Sequence, residues 1–195
     1  EAITKMADIW DEVKPDVAVI MGNDQKEAFT DQMIPAFTVF SGDTLFNEPA
    51  SPEQIPLMAP GIHEAEDGHN PPEYTEYPGQ VELSRLIIEQ ATLDGFDVAQ
   101  MTKIPRHENH WSAGVGHAFG YIYRQVMRDN VVPNVPIIAN TFFPPNQPTA
   151  KRCCEFGQMV GRAIKAWDGD LKVAVFGSGG MSHFVIDEDL DALFM

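Results

Sequence analysis

The chain has 195 residues, 44% of them hydrophobic and 22% charged, which is enough apolar material for one globular domain with its own core and too much for a disordered tail. Its 29 acidic against 13 basic residues leave a net charge of -16, a balance that repels phosphate backbones and anionic lipid and leaves no basic stripe for either. No apolar run approaches the roughly 20 residues that span a bilayer, and the N-terminus lacks the basic and apolar regions of a signal peptide. The expectation is a cytoplasmic protein with neither nucleic acid nor membrane as a partner.

Taken in chain order, Ile3, Met6, Trp10 and Val13 are spaced as the apolar face of a helix that is already under way at Glu1. Short runs rich in β-branched residues then read as buried strands: Val17 to Met21, Ala36 to Phe40, Phe96 to Met101, Val135 to Ala139 and Leu171 to Phe176. Helical periods separate them at Gln80 to Leu93, about Ala113 to Arg128, and Thr149 to Ala166, with Asn146 or Thr149 able to cap the last. This alternation predicts a single α/β domain with a mainly parallel or mixed central sheet flanked by helices.

One stretch breaks the rhythm. Residues 43–78 carry seven prolines and many acidic residues with no sustained period, and a loop this long is either functional, as a lid or subunit contact, or a passive surface excursion. The last residues, Asp189 to Met195, read as the start of a helix, so the chain is expected to be a fragment trimmed at both ends. Cys153 and Cys154 are adjacent, which suits neither an ordinary disulfide nor metal-ligand spacing, and they read as reduced thiols on a helix.

In an open α/β sheet, ligands bind beyond the carboxyl ends of the strands, and four segments there stand out. Asn23-Asp24-Gln25-Lys26-Glu27 follows the first strand and also reads as a polar capping turn. His107 and His110, with His117 seven residues on, would make a three-histidine metal face only on a continuous helix; Pro105, Asn109 and Gly114 argue against that register and leave only His117 helical. Asn140 to Pro148 follows the fourth strand, and its prolines enforce an extended path. Gly177-Ser178-Gly179-Gly180-Met181-Ser182-His183 follows the fifth. Its glycines allow a tight turn and close approach to a ligand, and it then presents a hydroxyl beside an imidazole able to act as acid or base. It lacks the register of a phosphate loop. His63 and His69 lie in the acidic proline-rich stretch and read as solvent-exposed.

Together these segments resemble the class III extradiol dioxygenases, of the protocatechuate 4,5-dioxygenase type of catalytic subunit. The match runs from Lys14-Pro15-Asp16-Val17 into Asn23-Asp24, through Ile34-Pro35-Ala36-Phe37, Asn109-His110, Asn140-Thr141-Phe142-Phe143-Pro144-Pro145 and Lys151-Arg152-Cys153, to the Gly-Gly-Met-Ser-His element ending at His183. The resemblance implies opening of catechol-type rings with O₂ at a non-haem Fe(II) held by two histidines and a carboxylate. It implies an acid/base role for His183, a second catalytic histidine in His110, and substrate contacts from Asn23, Thr141 and Ser182. A small aromatic diol and O₂ would be the substrates, in a homo- or hetero-oligomer.

The chain departs from the family at its metal position. Gln25 stands where the family carries a histidine after Asn-Asp, and a neutral amide is a much poorer ligand than imidazole. The other two family ligands are expected outside the chain, so Gln25 or Glu27 would join ligands in other segments, or iron would be absent from this chain. The alternative reading is a non-catalytic homologue that binds an aromatic ligand or a partner subunit. A hydrolase using Ser182 and His183 ranks below both, because neighbours on a glycine turn rarely aim at each other.

Overall fold

Burial of alternate faces of five short strands organises the molecule. In the computed structural model, which describes residues 1–182 and 185–195, the chain runs α1 (Ala2–Val13), β1 (Val17–Gly22), β2 (Phe37–Phe40), β3 (Thr44–Asn47), β4 (Thr75–Pro78), α2 (Val81–Leu93), β5 (Ala99–Met101), α3 (His117–Tyr121), β6 (Asn134–Ala139), α4 (Ala150–Ala166), β7 (Val173–Gly177) and α5 (Glu188–Phe194). All five expected strand segments enter one sheet, in the order β5-β2-β6-β1-β7. No helix among the described residues is long and apolar enough to cross a membrane.

The sheet is mixed, and the reason lies in one connection. β1 pairs in parallel with β6 and β7, and β2 in parallel with β5, but β2 runs antiparallel to β6 with Phe37 opposite Ala139. Residues 23–36 carry no helix that returns the chain to the starting edge. β2 therefore begins beside the end of β6 and runs backwards. The carboxyl ends of β1, β6 and β7 share one edge; those of β2 and β5 lie at the other.

On one face of the sheet, α2 and α4 lay Leu83, Ile87, Ala91, Phe156, Met159 and Ala163 over Val17, Val19, Phe37, Val39, Val135 and Ile137. Phe37 stacks on Phe156 at 4.2 Å between ring centroids. Thr149 caps α4 as expected, accepting a hydrogen bond from the Arg152 N–H at 3.2 Å. Cys153 and Cys154 are free thiols on that helix, and burial pushes the Cys153 thiol up. The other face is covered by Trp10 of α1, by α3 with the π-turn Ile122–Val126 that continues it, and by loops. Of the expected apolar face of α1 only Trp10 is buried; Ile3, Met6 and Val13 are exposed.

Three elements begin more than one residue later than periodicity suggests, the least shifted of them being β7, which starts at Val173. The third sheet strand starts at Ala99, leaving Phe96 buried against Phe37 and Phe156. α3 starts at His117, because Gly114 takes φ +93° and Gly116 is the extended cap. Residues 43–78 are not uniformly irregular: they hold the β3–β4 hairpin and two 3-10 helices, Ile55–Leu57 and His63–Gly68.

Candidate active site

The turn after β1 is built by Asp24. Its carboxylate accepts the backbone N–H groups of Ala28 at 2.7 Å, Lys26 at 3.0 Å and Phe29 at 3.3 Å, and Lys26 takes φ +64° to allow this. The capping reading of this segment thus describes its backbone. Burial pushes the Asp24 carboxyl up to about 6; the Ala28 N–H opposes that shift, and the neighbouring Glu27 charge adds to it.

The same turn drives Glu27 inward, to 4% exposure. There Oε1 accepts both the backbone N–H of His117 and its ring Nδ1–H, each at 2.7 Å, and Oε2 accepts the Gln25 N–H at 3.3 Å. Burial works to raise this carboxyl, but the hydrogen bonds and charge of His117 outweigh it and hold Glu27 below the usual carboxylate range. In return the Glu27 hydrogen bond raises His117, against the effect of burial. The approach requires glycine at 116: a Cβ there would lie 2.6 Å from Glu27 Oε2.

Histidines from two further segments pack against this turn and against His117. His107 Nε2 donates to the Ala28 carbonyl at 2.9 Å and His110 Nε2 to the Glu27 carbonyl at 3.2 Å, and the two rings meet edge to face at 5.2 Å. His110 was expected at the end of its strand, but β5 ends at the opposite edge; residues 102–116 return along the sheet to deliver it. His69, expected to be solvent-exposed, is half-buried with its ring 6.2 Å from that of His117, and burial lowers its pKa. Asn47 at the end of β3 holds it there, donating to the His69 carbonyl at 3.1 Å. The proline-rich stretch therefore contributes directly to the walls of the site.

The remaining expected residues divide. The segment after β6 folds over the turn after β1, with Lys26 Nζ 5.1 Å from the Phe143 ring centre; buried Asn140 closes it through Phe143, and Thr141 is exposed. Ser178 ties the start of the glycine segment to the site by donating its N–H to Met21 and its hydroxyl to the Ala118 carbonyl. Ser182, by contrast, is tied to α5, which Asp187 caps: the Ser182 hydroxyl donates to Asp191 at 2.8 Å and accepts the Asp187 N–H at 2.9 Å. Asn23 and Gln25 stay partly exposed at the crevice edge. His183 lies outside the described residues.

Residues 5–193 match the family model described as the catalytic LigB subunit of aromatic ring-opening dioxygenase. The chain belongs to that family. A gallate dioxygenase of Pseudomonas putida is 32% identical over 127 residues, which are 64% of this chain and 34% of that protein, so the chain matches about a third of the relative's length. Among solved structures, a putative methylthioadenosine nucleosidase from Weissella paramesenteroides aligns at 13% identity and a TM-score of 0.45, over 84% of this chain and 72% of that one.

At the position of the family's metal histidine this chain carries a poor donor. Among the described residues no three His, Cys, Asp or Glu side chains gather as a metal-holding group. Gln25 brings only a neutral amide, and the Glu27 carboxylate is taken up by His117. The pair Glu27–His117 escaped sequence reasoning because its members lie 90 residues apart; the one local signal was a carboxylate in the turn after a strand.

Proposed function

We propose that this chain belongs to a cytoplasmic, non-haem Fe(II)-dependent extradiol dioxygenase that opens a catechol-type ring with O₂, and that it supplies the proton-handling side of the crevice. The observation that carries the reading is the convergence of the turn after β1 and His110 on Glu27, in a chain matched to the ring-opening family over residues 5–193.

His110 is oriented for this role. A carbonyl can only accept, so Nε2 carries the hydrogen that binds the Glu27 carbonyl, and Nδ1 of the neutral ring is left as a base. The ring lines a cavity of about 300 Å³ together with Glu48, Arg106, His107, Asn109 and Ser112, a volume sufficient for a single aromatic ring. A diol hydroxyl placed there passes its proton to His110 Nδ1, while His183 serves as the second acid/base group at the end of the glycine segment. Asn23 and Thr141 do not line that cavity and would reach the substrate from the turns after β1 and β6. The iron that the resemblance implies would supply activation of the diol and O₂, with Gln25 at most a weak participant among its ligands.

The test is oxygen uptake by the full-length protein, loaded anaerobically with Fe(II) and given gallate or protocatechuate. His110→Phe and His183→Ala should each lower turnover by about 10² to 10⁴ with fold and iron content unchanged. Turnover within about threefold of the parent protein would remove the variant residue from the chemistry.

A second reading has its own support in Gln25 and in the engagement of Glu27 by His117: a non-catalytic homologue that binds an aromatic ligand or partner subunit in the same crevice. Full-length protein that binds protocatechuate, takes up no Fe(II) and consumes no O₂ would establish it.

A further inference from the structure

The two edges of the sheet differ. β5 at one edge is three residues long, whereas β7 at the other runs Val173–Gly177 and, among the described residues, pairs with β1 alone. The Ser178 N–H reaches Met21 and the Lys172 carbonyl accepts from Val17, so by alternation the backbone groups of Ala174 and Phe176 face β1 and those of Val173, Val175 and Gly177 face outward. Exposed edges are normally blunted by a charge, a proline or a covering segment. β7 carries neither charge nor proline, and Val175 is 59% exposed.

Helix α1 extends this open edge. Met6, Ile9 and Val13, spaced three and four residues apart, form one flank of the helix, each nearly half exposed, and with Ala174, Val175 and Phe176 they line a groove of about 320 Å³. The groove holds no charged side chain, in a chain of net charge -16. Together with Leu171 and Val175, the flank exposes on the order of 400 Å² of apolar surface, close to the apolar share of a standard interface that buries about 800 Å² per partner.

The same flank is self-complementary in charge. At about 100° per residue, Lys5 and Glu12 fall on one line just outside it, two turns apart; both are exposed, and neither forms an ion pair among the described residues. Because the segment from Met6 to Val13 lies against residues 174–176, one two-fold axis passes both Val175 and the middle of the flank. It sets Val175 against Val175 of a second copy, lays the two α1 helices antiparallel, and brings Lys5 of each beside Glu12 of the other.

We propose that the β7 edge and the exposed flank of α1 form the contact of a two-fold homodimer, in which antiparallel β7 strands join the two sheets into one. Val173, Val175 and Gly177 exchange backbone hydrogen bonds with Gly177, Val175 and Val173 of the second copy, the apolar flanks pack together, and the Lys5–Glu12 pairs close the rim.

Sedimentation equilibrium of the protein at about 1 to 100 μM tests the assignment without turnover, so its failure leaves the ring-opening reading untouched. The protein should sediment with twice the mass of one chain. Val175→Lys should weaken association about a hundredfold, since it sets like charges across the axis, whereas Leu93→Lys, at an apolar side chain exposed at the end of α2, should leave it unchanged. Lys5→Glu and Glu12→Lys should each weaken it about fivefold, and the two together in one chain should restore it; both positions are on the surface, so these variants keep the test informative if Val175→Lys does not fold. A protein that stays monomeric at the highest concentration would overturn the proposal and leave the edge to a partner other than this chain. So would a dimer that survives Val175→Lys in a folded chain, or one that the double exchange of Lys5 and Glu12 fails to restore.

Discussion

The two faces of the sheet are made of different material. Under α2 and α4 the buried side chains are aliphatic or aromatic apart from Ser84, which bonds to Val81 within its own helix, and Phe156 is fully enclosed between Phe37 and Phe96. On the opposite face the core also encloses Asp24, Glu27, Asn47 and Asn134, each bound to a specific partner. Tyr123, for example, is fully buried, with its hydroxyl donating to Asn134 Oδ1 at 2.6 Å; burial and the nearby Tyr77 raise its pKa despite that bond. The first face is held by shape and area, which tolerate change in proportion to volume lost. The second depends on pairs of polar groups that fail when one member is removed. The site lies on the second face, since only loops carry the turns that bring carboxylates and imidazoles together.

The sharpest break in that comparison comes from truncating each face in turn. Phe156→Ala should cost about 4 kcal/mol in denaturant unfolding, because it leaves a cavity among well-packed rings. A loss below about 1 kcal/mol would mean that the helical face relaxes freely and is not the rigid side. Glu27→Gln should cost about 2 kcal/mol despite nearly conserved volume, since it removes a charged acceptor of three hydrogen bonds. If Gln were as stable as Glu, the polar face would also be held by shape alone.

The pH dependence sharpens the same point. Folding raises His117 above the ordinary imidazole value, so its contribution to stability is full below about 6.5 and is lost as pH rises through its folded value. Glu27 is lowered, so its contribution is present above about 4.5 and is lost as pH falls through its folded value. The pair is therefore most stabilising between these limits. Proton NMR titration of His117 should give a pKa above that of an unfolded control, and Glu27→Gln should bring it down; an unchanged midpoint in the variant would disprove the pairing. The smallest effect belongs to the helical face: Thr149→Ala should cost about 1 kcal/mol through loss of the α4 cap, with the Glu27–His117 titration unaffected.

What was legible in the sequence follows this division. The runs at Val17 and Val135, the period from Val81 to Leu93 and the cap at Thr149 are local signals, because strand and helix patterns repeat every two or about 3.6 residues and burial of apolar area needs no particular partner. The order of short motifs from Asn23-Asp24 to the glycine segment was sufficient to indicate the ring-opening family. The direction of β2 and β5 was not legible, because it depends on a connection that stays at one edge of the sheet and has no sequence period. Nor was the return of residues 102–116 to the crevice, or the use of Ser182 as a partner of Asp191. The union of Glu27 with His117 and the unpaired Thr38 hydroxyl were settled by tertiary structure alone: whether a polar group is buried, and beside what, depends on chain segments far from it in sequence, and the energy of a buried charge is set by those neighbours.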